Sequence, residues 1–356
     1  PYSFNRTASA AELKEKFSNL EAGDKKESDI YSIAGRIMLR RKMGKVLFMD
    51  ITDRFEKIQV YVPKLELTEQ ENSLLSNLDI GDFIGVTGFV FKTQTGEITI
   101  HCQKIELLSK SLALLPEKYH GLADTELKYR NRFIDLIMNP ESVETFKKRS
   151  IIITEIRNFL NSRGFMEVET PVLQPIYGGA NANPFSTHHN DLDMELFLRI
   201  SPELYLKKLI AGGIDKVYEI CKNFRNEGID TTHNPEFTMI EWYEAYTDYI
   251  YQMEQVETLV ETIVKKINNG NTKLKFKDME IDYKTPWRRL TVYDGLREYA
   301  KIEPTTISKE DLIKELKKYT KDVEERKSKG ELLMELFDET VEDKLIQPTF
   351  VIDHPV

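Results

Sequence analysis

Cysteine is scarce in this 356-residue chain: Cys102 and Cys221 stand far apart, neither with a companion at metal-ligand spacing. That excludes a disulfide framework and a cysteine zinc site, and it points to a reducing compartment, the cytoplasm. Long apolar runs are missing, so no membrane-spanning helix is expected. The polar start PYSFNRTASAAELKEKF is not a secretory leader and reads as a short helix with an Ala, Leu and Phe stripe. Positive charge is not in surplus, with 50 Lys and Arg against 59 Asp and Glu and a net charge of −9. General polyanion binding is thereby excluded, and nucleic-acid contact is confined to a local patch. Internal repeats and low-complexity tracts are also absent. What remains, 40% hydrophobic and 31% charged, is an ordinary globular composition long enough for two or three domains.

The stretch from Val217 to Tyr246 carries the densest chemistry. Apolar and polar residues alternate on both sides of a break rich in Asn226, Gly228, Asp230, Asn234 and Pro235. This is the pattern of two antiparallel strands joined by a long loop. Period two places Phe237, Met239, Glu241, Tyr243 and Ala245 on one face. A carboxylate beside a phenol suits a ligand ammonium. In the loop, Arg225 offers a guanidinium fork for phosphate, with Glu227 and His233 beside it. Each of these residues alone is more often a solvated charge or a core aromatic.

In combination they say more. FRNEG, then THNPEFT, then the acidic-aromatic pair resembles the second signature motif of class II aminoacyl-tRNA synthetases, with wording nearest the lysyl branch of the lysyl, aspartyl and asparaginyl subgroup. The resemblance implies that Arg225 is the catalytic residue gripping the α-phosphate of ATP and the amino-acid carboxylate. It implies that Phe237 stacks on adenine, with Glu227, His233 and Asn234 completing the ATP site and Mg2+ bridging the phosphates. Gly179 and Ala180 of YGGANANPF are implied to meet the substrate's α-amino group, and Asn183 stands where the family usually has Lys or Arg. Ser201-Pro202-Glu203 opens a helix ending at Gly212 and Gly213, with Ser201 as its cap. Glu203 alone reads as a residue complementing the helix dipole. With the resemblance it becomes, beside Glu241 and Tyr243, a contact to L-lysine: two carboxylates for two ammonium groups.

Between Asp29 and Leu108 five short β-type runs are separated by turns, the pattern of an oligonucleotide-binding barrel. From Tyr31 to Val62 there are seven basic residues (Arg36, Arg40, Arg41, Lys42, Lys45, Arg54, Lys57) against three acids, a local +4. A basic face with an aromatic suits single-stranded nucleic acid, although Phe48 alone reads equally as barrel core. In the subgroup this barrel grips the anticodon, and the pattern places the contacts at Arg40, Phe48, Gln59 and Glu97.

Residues 109–130, with Pro116 and the YHGLADTE turn, read as a connector leading into a helix that Asp124 caps over TELKYRNRFIDLI. An amphipathic helix is expected from Glu141 to Arg163, its stripe made by Val143, Phe146, Ile152, Ile156, Phe159 and Leu160, with Gly164 ending it. The strand FMEVET follows, stopped by Pro171. This arrangement resembles the first class II motif, which implies a homodimer through the Pro171 region. Beyond Tyr246 come a helix to Lys266, a hairpin KLKFKDMEIDY, and a charged helix pair over Ser308–Leu345 with Leu312, Leu316, Leu332, Leu333 and Leu336 turned inward.

The expected architecture is α+β: an N-terminal helix and OB-type barrel (1–108), a linker (109–130), and a class II antiparallel sheet flanked by helices (131–356). The expected activity is ATP-dependent formation of lysyl-adenylate and transfer of lysine to tRNA(Lys). The family's magnesium carboxylates, further lysine contacts and second ATP arginine follow the segment matching VIDHP, so no metal ligand is assigned within this sequence. Two alternatives stand beside this reading, an aspartyl- or asparaginyl-type ligase and a truncated, inactive tRNA-binding paralogue.

Overall fold

A computed structural model describes residues 3–53, 56–113, 115–116 and 124–355. Arg54 and residues 119–123 of the YHGLADTE turn lie outside the described residues. Two compact units divide between Lys147 and Lys148.

The first unit is built on a barrel. Helix α1 (Ala10–Lys16) is started by Ser9, whose hydroxyl accepts from Glu12 N while Glu12 reaches back, a reciprocal cap that satisfies two orphan donors. Its stripe of Ala10, Leu13 and Phe17 enters the barrel core, as its spacing predicts. Strands β1 (Lys25–Met43), β2 (Val46–Asp53), β3 (Glu56–Pro63), β4 (Phe83–Lys92) and β5 (Ile98–Ser109) close in the order β1-β2-β3-β5-β4. Alternation sends Leu47, Met49, Ile51, Val60, Val62, Ile100 and Cys102 into a sealed core. Helix α2 (Glu69–Ser76), between β3 and β4, is an element the alternation-based reading passes over. Its signal is the Thr68…Glu71 capping box, which forms in full.

One helix expected after Asp124 is two, α3 (Thr125–Arg130) and α4 (Arg132–Met138), because Asn131 leaves helical geometry between them. Asp124 Oδ1 does accept from Leu127 N at 2.8 Å. Helix α5 (Pro140–Ser162) runs across the division between the units, and Gly164 follows it at φ +80°. Val143, Phe159 and Leu160 are buried, but Phe146 is exposed, its ring under the Arg132 guanidinium at 5.6 Å.

In the second unit the predicted strand FMEVET shortens to β6 (Met166–Glu167). Next come β7 (Leu173–Gln174), β8 (Ser186–His189), β9 (Met194–Leu198), α6 (Glu203–Ala211), β10 (Lys216–Phe224), β11 (Glu236–Glu244) and α7 (Tyr249–Ile267). One sheet has the order β11-β10-β6, with β10 and β11 antiparallel and β6 parallel to β10; a second has the order β7-β9-β8. Tyr218 and Ile220 of β10 and Ile240 and Trp242 of β11 pack on Phe159, Leu160, Phe165 and Leu259. The fully buried Tyr218 keeps its hydroxyl satisfied by Asn161 Oδ1 and Glu167 Oε2, each at 3.0 Å. Tyr218, Ile220, Ile240 and Trp242 are thus turned to this core, whereas Lys222 nearer the loop is exposed. The odd-numbered side chains form the opposite face, which carries the site.

The predicted hairpin appears as β12 (Lys273–Phe276) and β13 (Met279–Asp282). Strands β14 (Arg288–Thr291) and β15 (Thr349–Ile352) pair in parallel around α8 (Val292–Gly295), α9 (Lys309–Leu316) and α10 (Lys329–Thr340). The five leucines expected to turn inward are all buried there.

Candidate functional site

The β10–β11 register pairs Val217 with Tyr243, Glu219 with Glu241, Cys221 with Met239 and Asn223 with Phe237. At the open end of the hairpin Arg225 N donates to Pro235 O at 2.8 Å, closing the loop at its base. The Arg225 guanidinium lies 5.1 Å from the centre of the Phe237 ring, and its buried Nε has no hydrogen-bond partner among the described residues. A cationic donor held on an aromatic face with a donor to spare is prepared for an anion. The loop is ordered by Asp230, whose carboxylate accepts from Thr232 N, His233 N and the His233 ring. Those bonds, the Thr232 amide foremost and then the His233 ring, hold Asp230 well below the ordinary carboxylate range. His233 therefore has Nδ1 committed at 2.7 Å to Asp230.

The segment carrying Asn183 docks onto the same loop through backbone groups: Asn226 N donates to Asn183 O at 2.8 Å, and Asn183 N to Glu227 Oε1 at 3.2 Å. Neither contact uses the Asn183 side chain.

Along the edge of β11, Glu241 and Tyr243 of this face and Ile240 and Trp242 of the other line a cavity of about 580 Å³ together with Glu203, Asp248 and Gln252. Glu241 Oε1 accepts from Ser201 Oγ at 2.7 Å and Oε2 from the Tyr243 hydroxyl at 3.3 Å. Burial, then the charges of Glu241 and Glu203, push the Tyr243 phenol above its usual range, so it stays a donor. Lys207, one turn along α6, places its Nζ 2.6 Å from Glu203 Oε1 and 5.9 Å from the Tyr243 ring centre. Gly179, at φ +88°, presses against this corner: a Cβ there would lie 2.7 Å from Glu203 Cβ. On the same face Glu219, the cross-strand neighbour of Glu241, accepts from the buried Arg199 at 2.6 Å, and Arg199 also donates to Thr170 O and Lys222 O.

On the barrel, alternation turns Phe48, Tyr61, His101 and Phe89 outward as one row across β2, β3, β5 and β4. Phe48 and Tyr61 meet edge to face at 5.4 Å, and Phe89 stacks on His101 at 4.5 Å. Gln59 Oε1 accepts from Thr99 Oγ1 at 3.0 Å, one row away. Arg41 is the cross-strand neighbour of Phe48 and is exposed.

Residues 124–356 match the family of tRNA synthetases class II (D, K and N), and residues 31–108 match the OB-fold nucleic acid binding domain. The chain belongs to the class II tRNA synthetases. It is 50% identical over 359 residues to the lysine–tRNA ligase of Clostridium novyi (strain NT), covering 99% of this chain and 69% of the relative. The lysine–tRNA ligase of Syntrophomonas wolfei is 51% identical over 354 residues, and that of Thermoanaerobacter pseudethanolicus 50%, each with 99% of this chain and 70% of the relative covered.

Within this class II synthetase the structure gathers the residues expected for one site, Gly179, Glu203, Glu241 and Tyr243, around one corner and sets Arg225, Glu227, His233 and Phe237 at the hairpin loop. Ala180 is half-buried, Asn234 is exposed and Pro171 is exposed. Glu97 sits at the turn before β5, with its amide bonded to Thr93 Oγ1. Arg40 departs from expectation. It pairs with the core-facing Met49, and its guanidinium donates to Leu75 O at 2.5 Å and Leu78 O at 3.1 Å, at the end of α2. A register shift between Ile37 and Leu39 reverses the alternation of β1, so Arg41 and not Arg40 shares the face of Phe48. Sequence reasoning also missed Arg199 and Lys207, and took Ser201 only as a cap. Pro202 holds the cap position with no side-chain cap bond, and Ser201 Oγ accepts from Glu203 N at 3.1 Å. The signal for Lys207 was its spacing of four from Glu203.

Proposed function

We propose that this protein activates L-lysine with ATP and transfers it to tRNA(Lys). The observation that carries the reading is the paired carboxylates of Glu203 and Glu241, gathered with the Tyr243 phenol on the same hairpin that presents Arg225. Two carboxylates suit the two ammonium groups of lysine, the substrate displacing Lys207 from Glu203, and repel the second carboxylate of aspartate, which disfavours an aspartyl-type ligase.

In the first step a carboxylate oxygen of lysine attacks the α-phosphorus of ATP. A carboxyl–phosphate bond forms, the bond from the α-phosphorus to the bridging oxygen breaks, and pyrophosphate leaves with the electron pair. In the second, a terminal ribose hydroxyl of the tRNA attacks the carbonyl carbon. An ester forms, AMP leaves and the hydroxyl proton passes to solvent. The protein's share is alignment and charge neutralisation. Arg225, whose Nε has no partner among the described residues, meets the α-phosphate and the carboxylate while Phe237 offers its ring to adenine. Glu227 holds the adenine amine side, and His233, fixed by Asp230, faces the outer phosphates with Asn234. Gly179 and Ala180 bring backbone to the α-amino group. Mg2+ is expected with ATP. Among the described residues no three His, Cys, Asp or Glu side chains converge as a metal set, so no step here runs through it.

On the barrel, Phe48 stacks on an anticodon base, Gln59 and Glu97 read base edges, and Arg41 takes the phosphate role first expected of Arg40. A homodimer through the Pro171 region is supported by the exposed Met166, Val172, Leu173 and Ile176 around it. The compartment is the cytoplasm, consistent with two free buried thiols. Among the described residues no helix is long and apolar enough to cross a membrane.

The test is amino-acid-dependent exchange of pyrophosphate into ATP, with lysine, aspartate and asparagine in parallel. Exchange with lysine alone is the expected result; exchange with aspartate or asparagine sinks the assignment.

A further inference from the structure

We propose that Ser201 is a positioning residue of the amino-acid pocket, whose hydroxyl sets the direction of the Glu241 carboxylate and so fixes the length of side chain the pocket accepts. The inference rests on the lysine reading above and adds a specificity determinant to it.

Ser201 is 2% exposed. A serine hydroxyl has one proton to give and two lone pairs. Glu203 N–H, at the first residue of α6, donates to Oγ at 3.1 Å, and the single proton then goes to Glu241 Oε1 at 2.7 Å. Glu241 Oε2 takes its donor from Tyr243 at 3.3 Å. With one donor on each oxygen the carboxylate cannot turn freely, yet each oxygen keeps a lone-pair direction for one more donor. The third support comes from Gly179, where a Cβ would stand 2.9 Å from Ser201 Oγ. Three segments distant in sequence, the Gly179 turn, the start of α6 and the centre of β11, therefore converge on one hydroxyl.

A carboxylate held in one direction meets an ammonium at the end of one chain length, whereas a carboxylate free to rotate follows ammonium groups at several. Removing the Ser201 proton therefore weakens lysine binding and blurs the distinction between lysine and ornithine, which is one methylene shorter. The effect passes through Glu241, so it should vanish when Glu241 no longer carries the charge that the hydroxyl directs.

The experiment measures pyrophosphate exchange on the intact protein and on Ser201→Ala, Glu241→Gln and the double variant, with lysine and ornithine varied at saturating ATP. Thermal unfolding is followed alongside. For Ser201→Ala the expected result is a KM for lysine raised about tenfold, the size of one hydrogen bond to a charged group. The kcat and the KM for ATP stay within twofold, and lysine-over-ornithine discrimination falls. The double variant should match Glu241→Gln alone. If Ser201→Ala does not fold, Ser201→Cys, of similar size and with a much weaker donor, takes its place. A lysine KM within twofold of the unsubstituted protein, or effects of the two substitutions that multiply, overturns the inference while leaving the lysine reading standing. Absence of lysine-dependent exchange in the unsubstituted protein overturns the lysine reading and this inference with it.

Discussion

Arg199 and Glu219 meet at 2.6 Å with both side chains about 4% exposed, on the same hairpin face as Glu241, the cross-strand neighbour of Glu219. Glu219 Oε2 also accepts from the Thr170 hydroxyl at 2.6 Å, so β10, the chain before Pro171 and the approach to α6 are clamped at one point. Removing one partner of such a pair leaves an uncompensated buried charge. We expect Arg199→Met to cost about 3–5 kcal/mol in urea unfolding. A loss below about 1 kcal/mol would show that solvent reaches Glu219 and that the clamp is not structural.

Arg225→Ala is expected to lower lysine-dependent exchange by two to three orders of magnitude, roughly the effect of removing one preorganised donor to a developing negative charge. The barrel should be unaffected, so tRNA binding measured by filter retention stays within twofold. Intact exchange in this variant would remove Arg225 from the chemistry.

Phe48→Ala gives the converse pattern. Loss of a stacked base costs about 1–3 kcal/mol, so the KM for tRNA rises roughly tenfold to a hundredfold while exchange without tRNA is unchanged. Equal damage to both steps counts against separate sites for tRNA and ATP.

The two neighbouring arginines of β1 separate cleanly. Arg40 donates to carbonyls at the end of α2, and Arg40→Ala should lower the thermal midpoint of the barrel. Arg41, exposed beside Phe48, should leave that midpoint unchanged when replaced by Ala and reduce the salt-dependence slope of tRNA binding by about 0.7. The reverse assignment is supported if Arg40→Ala, and not Arg41→Ala, changes the slope.

Burial pushes the Cys102 thiol up to about 12 and the Cys221 thiol up to about 11, from an ordinary value of 9.0. In the unfolded chain these thiols ionise above about pH 9 while the folded ones stay protonated, so stability is lost as pH rises from 9 towards 11 and is unaffected below 9. Alkylation by iodoacetamide at pH 8 should be slow for the folded protein and fast in urea. The fall in urea midpoint between pH 8 and pH 10 should be smaller in Cys102→Ala; an equal fall would mean that Cys102 is accessible to water.

Much of this protein was readable from local pattern. The barrel strands, the β10–β11 hairpin and the leucines of α9 and α10 follow from period two and period 3.6, because a side chain's face is set by its immediate neighbours in a regular element. Chain order alone carried the FRNEG and THNPEFT motif. Where regularity breaks, pattern misleads. The Ile37/Leu39 shift exchanges the faces of Arg40 and Arg41, Asn131 splits an expected helix, and Phe146 keeps the spacing of a stripe yet faces solvent.

Residue order was enough to name the family chemistry, since guanidinium, imidazole, carboxylate and phenol stood within thirty residues on one hairpin. The convergence of Gly179, Ser201, Glu203 and Glu241 had no counterpart in sequence spacing. It exists because β11 and the start of α6 are brought together by packing, and a 2.7 Å hydrogen bond between residues forty positions apart is a property of the folded chain alone.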